Sequence, residues 1–251
     1  SGAFIFGAAW AFIPAYLQAK RGSHVVITTI MFNFIASSLM VFLLVDVIRD
    51  MKQMGPHTVA LPEEIWFPTF KEFAALFGIK IRYSPLNISF LLAIAASFFV
   101  WFLVWKTKWG YEMRAVGHNM QAAIYAGISP YKNIIIAMCI SGGLAGLLGI
   151  NEILGVHHKI VAGFPAGYGF TGIAVALMGR NHPIGIFPAA FLFGILYQGG
   201  SEVTFDMPNI TRYMFVAVQG VIILFSGALE NLFRPQIESF FVNRLNMKRE
   251  I

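Results

Sequence analysis

Apolar residues along this chain neither alternate with polar ones nor keep to one helical face; they run in blocks separated by short polar stretches. Blocks near 3–18, 25–45, 88–105, 134–156, 168–179, 184–198 and 213–229 predict membrane-crossing helices, because crossing the hydrocarbon core takes about 20 apolar residues. Two of them, 168–179 and 184–198, fall short of that length. They read as half-helices, or as a broken pair that crosses within protein rather than against lipid. The expected fold class is all-α, a polytopic transmembrane helical bundle with broken or half helices.

The polar stretches carry their own signals. Within 106–133, Asn119 is a helix-starting residue, Gly127 supplies the left-handed conformation that ends a helix, and Pro130 blocks continuation, so about two turns of helix are expected between them. A helix so short is unstable alone in water and must dock on something. Residues 46–87 form the longest polar stretch, with four prolines and several aromatics. Glu64 through Phe77 is expected to form a short helix along the membrane surface, within a loop that either covers helix ends or presents a docking surface. The division expected is a membrane domain over 1–233 and a partly helical cytoplasmic tail over 234–251.

Composition supports the membrane reading: 57% of residues are hydrophobic and 12% charged, where a soluble domain has about one quarter charged. Alternating the spans places 19–24, 106–133, 180–183 and 230–251 on one side, with Lys20, Lys106, Lys108, Arg114, Arg180 and others making eleven of the 18 Lys and Arg. That side is expected to be cytoplasmic. The net charge of +6 is thereby membrane topology, and the dispersed cations give no nucleic-acid footprint.

Candidate chemistry is sparse. Cys139 is the single cysteine and lies in an apolar run, so it forms no internal disulfide and reads as a core thiol. His157 and His158 are adjacent rather than four apart, which does not present two ligands on one helix face, and no metal site is expected. Gly167-Tyr168-Gly169-Phe170-Thr171-Gly172 satisfies a dinucleotide-binding spacing, but no strand precedes it and the position about 20 residues on is apolar rather than acidic. The glycines read better as a break entering a helix, with Gly167 and Gly169 exposing backbone to a neighbouring helix or a polar solute. No Gly-Lys-Ser/Thr run exists, so any ATP hydrolysis belongs to another subunit. No cofactor and no catalytic residue is expected.

Two polar features lie in the apolar blocks. Thr29, Asn33 and Ser37 recur every fourth residue on one face, and such a stripe must bond a neighbouring helix or line a water-accessible path. Glu152 follows a helix with small residues at four-residue spacing, Ser141, Ala145 and Gly149. It is expensive beside an apolar span unless paired or wet, and reads as a residue of the transport path or of the outer interface.

Three blocks carry a family resemblance: His24 through Ala36, Ala115 through Ile128, and Phe164 through Pro183. In order and at similar spacing they resemble the permease subunits of bacterial ABC importers, in the branch that moves nucleosides and simple sugars. Together the matched blocks reach from residue 1 to about 230. The resemblance implies that Gly117, Asn119, Ala122, Ala123, Tyr125 and Gly127 belong to a coupling segment, 115–128, on which ATPase subunits dock from the cytoplasm. Small alanines there would allow close seating, with Tyr125 as an anchor. Glu152-Ile153-Leu154-Gly155-Val156-His157 resembles a Glu-x-x-Gly-x-His run of the family.

The resemblance also implies a catalytically inert transport subunit in the bacterial plasma (inner) membrane. Its partners would be a second permease, identical or sister, and an external solute-binding protein. Family members usually carry hydrophobic helices upstream, and the chain, which opens on Ser1, is expected to be N-terminally incomplete. Ribose-type or branched-chain amino acid permeases are the alternatives within the superfamily. A gradient-driven transporter or channel is the rival outside it, and would need ionisable pairs deep in several spans, for which only Glu152 is a candidate.

Overall fold

The computed structural model describes residues 2–48, 55, 57–68, 87–163, 167–206, 214–222 and 224–225. The described residues are helical throughout, apart from connections and one isolated antiparallel bridge between His57 and Val161. In hydrocarbon each backbone N–H and C=O must be bonded within the protein, and a helix does this within its own segment. Among the described residues, five helices are long and apolar enough to cross a membrane: Gly2–Arg21, Val25–Val47, Ser89–Lys106, Pro130–His157 and Pro183–Thr204. The chain divides into two compact units, residues 1–166 and 167–251.

In the first unit, α1 (Gly2–Arg21) and α2 (Val25–Phe42) are followed by α3 (Ser89–Lys106), α4 (Lys108–His118), α5 (Met120–Tyr125) and α6 (Pro130–Ile150). Both α2 and α6 continue in π winding, over Leu43–Val47 and Asn151–His157. Among the described residues, the most extensive helix pair is α1 with α6. Glycine makes it possible: a Cβ on Gly7 would overlap the carbonyl oxygen of Gly142, one on Gly142 would overlap the Ala11 methyl, and one on Gly146 would overlap the Ala3 carbonyl oxygen. Phe4 fills the remaining space over Gly143. Small residues let the backbones approach, which gives dispersion contact where no hydrophobic drive exists between helices in lipid. α2 packs on α1, with Trp10 meeting Phe32 edge-on at 6.0 Å.

α4 is a helix separate from α5, where the sequence pattern predicts one short helix between the apolar blocks. Thr107, in extended conformation, breaks α3 and caps α4: its Oγ1 donates to the Leu103 carbonyl at 2.6 Å and accepts from the Gly110 N–H at 3.1 Å. Of the surface helix expected over Glu64 through Phe77, only residues 64–68 are described. A 3-10 turn, Glu63–Ile65, is present there; Trp66 is extended, and 69–77 lie outside the described residues. Residues 57–68 lie on the far end of α6. The Phe67 N–H donates to the Leu154 carbonyl at 3.0 Å, and the Leu61 N–H to the His158 carbonyl at 2.8 Å. This agrees with a loop that covers helix ends.

The second unit contains α7 (Tyr168–Met178), α8 (Pro183–Asp206) and a further helical segment at 214–222. α7 has the short length expected. Block 184–198 is corrected: its helix runs on to Asp206 and is long enough to cross. The polar run after Tyr197 resembles a loop, yet Gln198 bonds Glu202 at 3.2 Å one turn on and Thr204 Oγ1 donates to the Gly200 carbonyl at 2.8 Å. Gly200 also leaves room for the ring of Phe215, 2.6 Å from where a Cβ would stand. α7 and α8 form a hairpin around Ala174, Val175, Ala189 and Phe193. Residues 234–251 lie outside the described residues.

The crossing gives a direct test. Gly146→Val should cost about 1–3 kcal/mol by overpacking, read as a lower thermal unfolding midpoint in detergent. Gly149→Ala, where nothing lies within 4 Å of the added methyl, should leave the midpoint unchanged.

Candidate functional site

The short helix α5 has both ends built from its own sequence. Asn119 is extended (φ −154°, ψ 106°), and its Oδ1 accepts from the Ala122 N–H at 3.0 Å, satisfying one of the donors that open a helix. At the other end Gly127 takes φ +76°, its N–H bonds the Ile124 carbonyl at 2.9 Å, and the Ile128 N–H reaches the Ala123 carbonyl at 2.9 Å. This pair of bonds is the glycine-closed helix end in which backbone carbonyls of the last turn are satisfied locally. Ser129 and Pro130 then open α6. α5 is thereby tied at both ends to α4 and α6, which stabilises six residues that could not hold a helix alone.

The candidate residues on this segment separate by exposure. Tyr125 is 92% exposed and Ala122, Gly117, Asn119 and Gly127 are exposed, joined by the half-exposed Met120 and Ile124. Ala123 is 3% exposed, so within this chain it seats α5 on its own unit. Met120 and Ile124, four residues apart, lie on one side of the helix and extend the face beyond the residues expected from the sequence. The resulting face is apolar and aromatic at the tip of a rigid two-ended turn, and a fully exposed Tyr beside Ile and Met is the composition of a protein-binding surface.

The tentative pathway residues do not form one cluster. On α2, Thr29 turns its hydroxyl back onto its own helix, bonding the Val25 carbonyl at 2.9 Å and the Val26 carbonyl at 3.1 Å, so its proton serves the backbone. Asn33 and Ser37 are exposed on a helix with no buried residue. An amide on a helix face in lipid needs a polar neighbour. Gly167 and Gly169 lie in the second unit: Gly167 is left-handed at φ +85° and its carbonyl accepts from the N–H groups of Phe170 and Thr171, opening α7 as the glycine-break reading expects.

Glu152 sits elsewhere again, at the end of α6 remote from α5. It is buried at 7% exposure. Its carboxylate accepts from the Asn151 side-chain amide at 3.3 Å, and Oε2 lies 3.6 Å from His157 Nε2. Asn87 and Ser89, at the start of α3, complete this polar group: the Ser89 hydroxyl lies between the side-chain oxygens of Asn87 and Asn151. His157 belongs to the Glu-x-x-Gly-x-His run, but the places of Asn87 and Ser89 beside it are not legible from spacing, since Ser89 and Asn151 lie 62 positions apart. No group of three or more His, Cys, Asp or Glu among the described residues has the arrangement to hold a metal.

The family model described as branched-chain amino acid transport system / permease component matches residues 2–227. The guanosine ABC transporter permease protein NupP of Bacillus subtilis is 36% identical over 220 residues, covering 87% of this chain and 61% of the relative. The glucose ABC transporter permease protein TsgB13 of Haloferax volcanii is 32% identical over 252 residues, covering 97% and 64%. The nucleoside ABC transporter permease protein NupB of Lactococcus lactis is 36% identical over 220 residues, covering 85% and 59%. The chain thus spans about three fifths of the length of these relatives. No solved structure matches it. With matched residues running through every described helix of both units, this multi-pass membrane chain belongs to the family of branched-chain amino acid transport system permease components.

Proposed function

We propose that the chain is the membrane-spanning permease subunit of an ATP-binding cassette importer in the plasma membrane, carrying a nucleoside or simple sugar by ATP-driven alternating access. The observation that supports this reading best is α5: a capped, closed two-turn helix that presents Tyr125, Ile124 and Ala122 outward, at the position where the family resemblance expects the ATPase to dock. ATP hydrolysis belongs to separate subunits below the membrane, and a second permease, identical or sister, and an external solute-binding protein complete the assembly. The relatives described as guanosine, nucleoside and glucose permeases support the choice of solute class.

The mechanism follows from rigid connection. α5 is joined through Ile128 and Ser129 to α6, and α6 crosses α1 with almost no space between backbones. A push on α5 by closing ATPase subunits is carried to the α1–α6 pair as a body, because a crossing held by backbone contact transmits displacement rather than absorbing it. In the first unit, Asn33 and Ser37 on α2 and Glu152 are polar groups suited to a hydroxylated solute; in the second, the glycine opening of α7 at Gly167 and Gly169 exposes backbone suited to the same chemistry. We assign them to the pathway on chemistry alone, with the interhelix bonding of Asn33 as the competing use.

The test is purification of the full-length assembly from its native membrane, followed by uptake of tritiated guanosine and labelled glucose in proteoliposomes. Ala122→Asp places a charge on the exposed face of α5, and Tyr125→Ala removes its anchor. Each should reduce recovery of the ATPase subunits and ATP-driven uptake by about tenfold or more, since an interface anchor is worth roughly 1.4 kcal/mol or more. Insertion and unfolding midpoint should not change. Uptake that survives ATP depletion and collapses with the ion gradient would establish the gradient-driven alternative.

The caps of α5 give a second test. Asn119→Ala removes the acceptor for the Ala122 N–H and should cost about 1 kcal/mol of local stability. The expected outcome is faster hydrogen exchange over 120–126 and weaker coupling of ATP hydrolysis to uptake, with exchange across the α1–α6 crossing unaltered.

A further inference from the structure

The end of α6 is wound so that two residues five apart meet. In an α-helix five residues turn through about 140° beyond a full revolution, which puts them on different faces. Over Asn151–His157 the helix is π-wound, with bonds from each residue to the fifth along, and Glu152 and His157 come into register at 3.6 Å. The carboxylate is buried, whereas the imidazole is 42% exposed at its side chain. The glutamate is therefore held from one side by Asn151 and from the other by a histidine that closes the π turn. His158, left-handed at φ +54°, ends it.

Two other segments are fastened to the same turn. Asn87 is buried and accepts from the Ser89 N–H at 3.2 Å, while the Ser89 hydroxyl reaches both Asn87 and Asn151. That hydroxyl has one proton, so it serves one of the two oxygens at a time. Gly155 is the seat for Asn87: a Cβ there would overlap the Asn87 side-chain nitrogen. From the other direction, the Phe67 N–H bonds the Leu154 carbonyl, and Trp66 stacks on His158 with ring centres 3.9 Å apart and planes 16° apart. The Trp66 indole donates to the Leu61 carbonyl at 2.9 Å, while the Leu61 N–H returns to the His158 carbonyl. Residues 57–68, 87–89 and 151–161 thus converge on a single π turn.

We propose that this π turn is an interlock of the membrane end remote from α5, in which His157 is the positioning residue that fixes Glu152, and that opening this end for a solute requires the Glu152–His157 pair and the Ser89–Asn151 bond to part. Its use as a gate rests on the transport reading above; the interlock itself does not. Reverting the turn from π to α winding by one residue would rotate everything beyond it by about 100°, and so would separate the pair and carry Leu154 and His158 away from the loop together. One local rewinding releases both segments.

The experiment is hydrogen–deuterium exchange, read by mass spectrometry, on the full purified assembly. Glu152→Gln keeps the size and replaces one carboxylate oxygen by an amide nitrogen; His157→Leu removes the ring nitrogen that faces the carboxylate; His157→Gln keeps a side-chain nitrogen that can reach it. Glu152→Gln and His157→Leu should each speed exchange over 87–92 and 154–160 by about tenfold, and the double variant should be no faster than either single one. His157→Gln should restore most of the protection.

Exchange over 3–11 and 139–147, at the α1–α6 crossing, should not move. Unchanged exchange at 87–92 in His157→Leu, failure of His157→Gln to protect better than His157→Leu, or equal loosening of the crossing would each overturn the interlock. In the unmutated assembly, trapping with ATP and vanadate should raise exchange at the same two segments, and no change there would overturn the gate. An assembly with no ATPase activity at all would instead remove the transport reading and leave the exchange results standing.

Discussion

The contact on which the first unit depends is the crossing of α1 over α6, where Gly7, Gly142 and Gly146 bring two backbones within reach of each other. In lipid there is no apolar surface to hide from water, so helices associate only where they fit closely. At each of these positions the space for a side chain is occupied by the partner's backbone or by a small methyl. α6 becomes a fixed rod, and the rest of the unit is arranged along it: α4 and α5 at its start, the covering loop 57–68 and the beginning of α3 at its end.

That arrangement places two different kinds of construction at the two ends of one helix. At the start, α5 is closed by an asparagine cap and a left-handed glycine, a rigid turn with an apolar tip. At the end, winding loosens into a π turn that carries a buried acid, two buried or half-buried amides, and a stacked Trp66–His158 pair. Rigid geometry suits the transmission of force. A π turn, whose register differs from an α-helix by a single residue, suits a place where the structure has to take two forms.

Much of the fold was legible because the membrane simplifies the reading. Four of the blocks, near 3–18, 25–45, 88–105 and 134–156, match long helices in the structure, since length and apolarity alone select a spanning helix. The ends of α5 were equally legible: Asn119, Gly127 and Pro130 act through bonds to residues at most five positions away, so local chemistry decides them. The end of α8 was not. Gln198 through Glu202 look like a loop in composition, and it takes their i,i+4 bond and the Phe215 ring over Gly200 to continue the helix.

The same distinction governs the candidate residues. The sequence by itself determined the multi-pass helical class, the caps of α5 and the glycine opening of α7, all properties of neighbouring residues and of apolar length. Tertiary structure alone decided that Ala123 faces inward while Tyr125 faces out, because burial depends on what lies across from a helix. It alone decided that Glu152 is paired rather than stray. The Glu152 pairing depends on π winding and on Asn87 and Ser89, more than sixty residues earlier, and a periodicity of 3.6 carries no information about either.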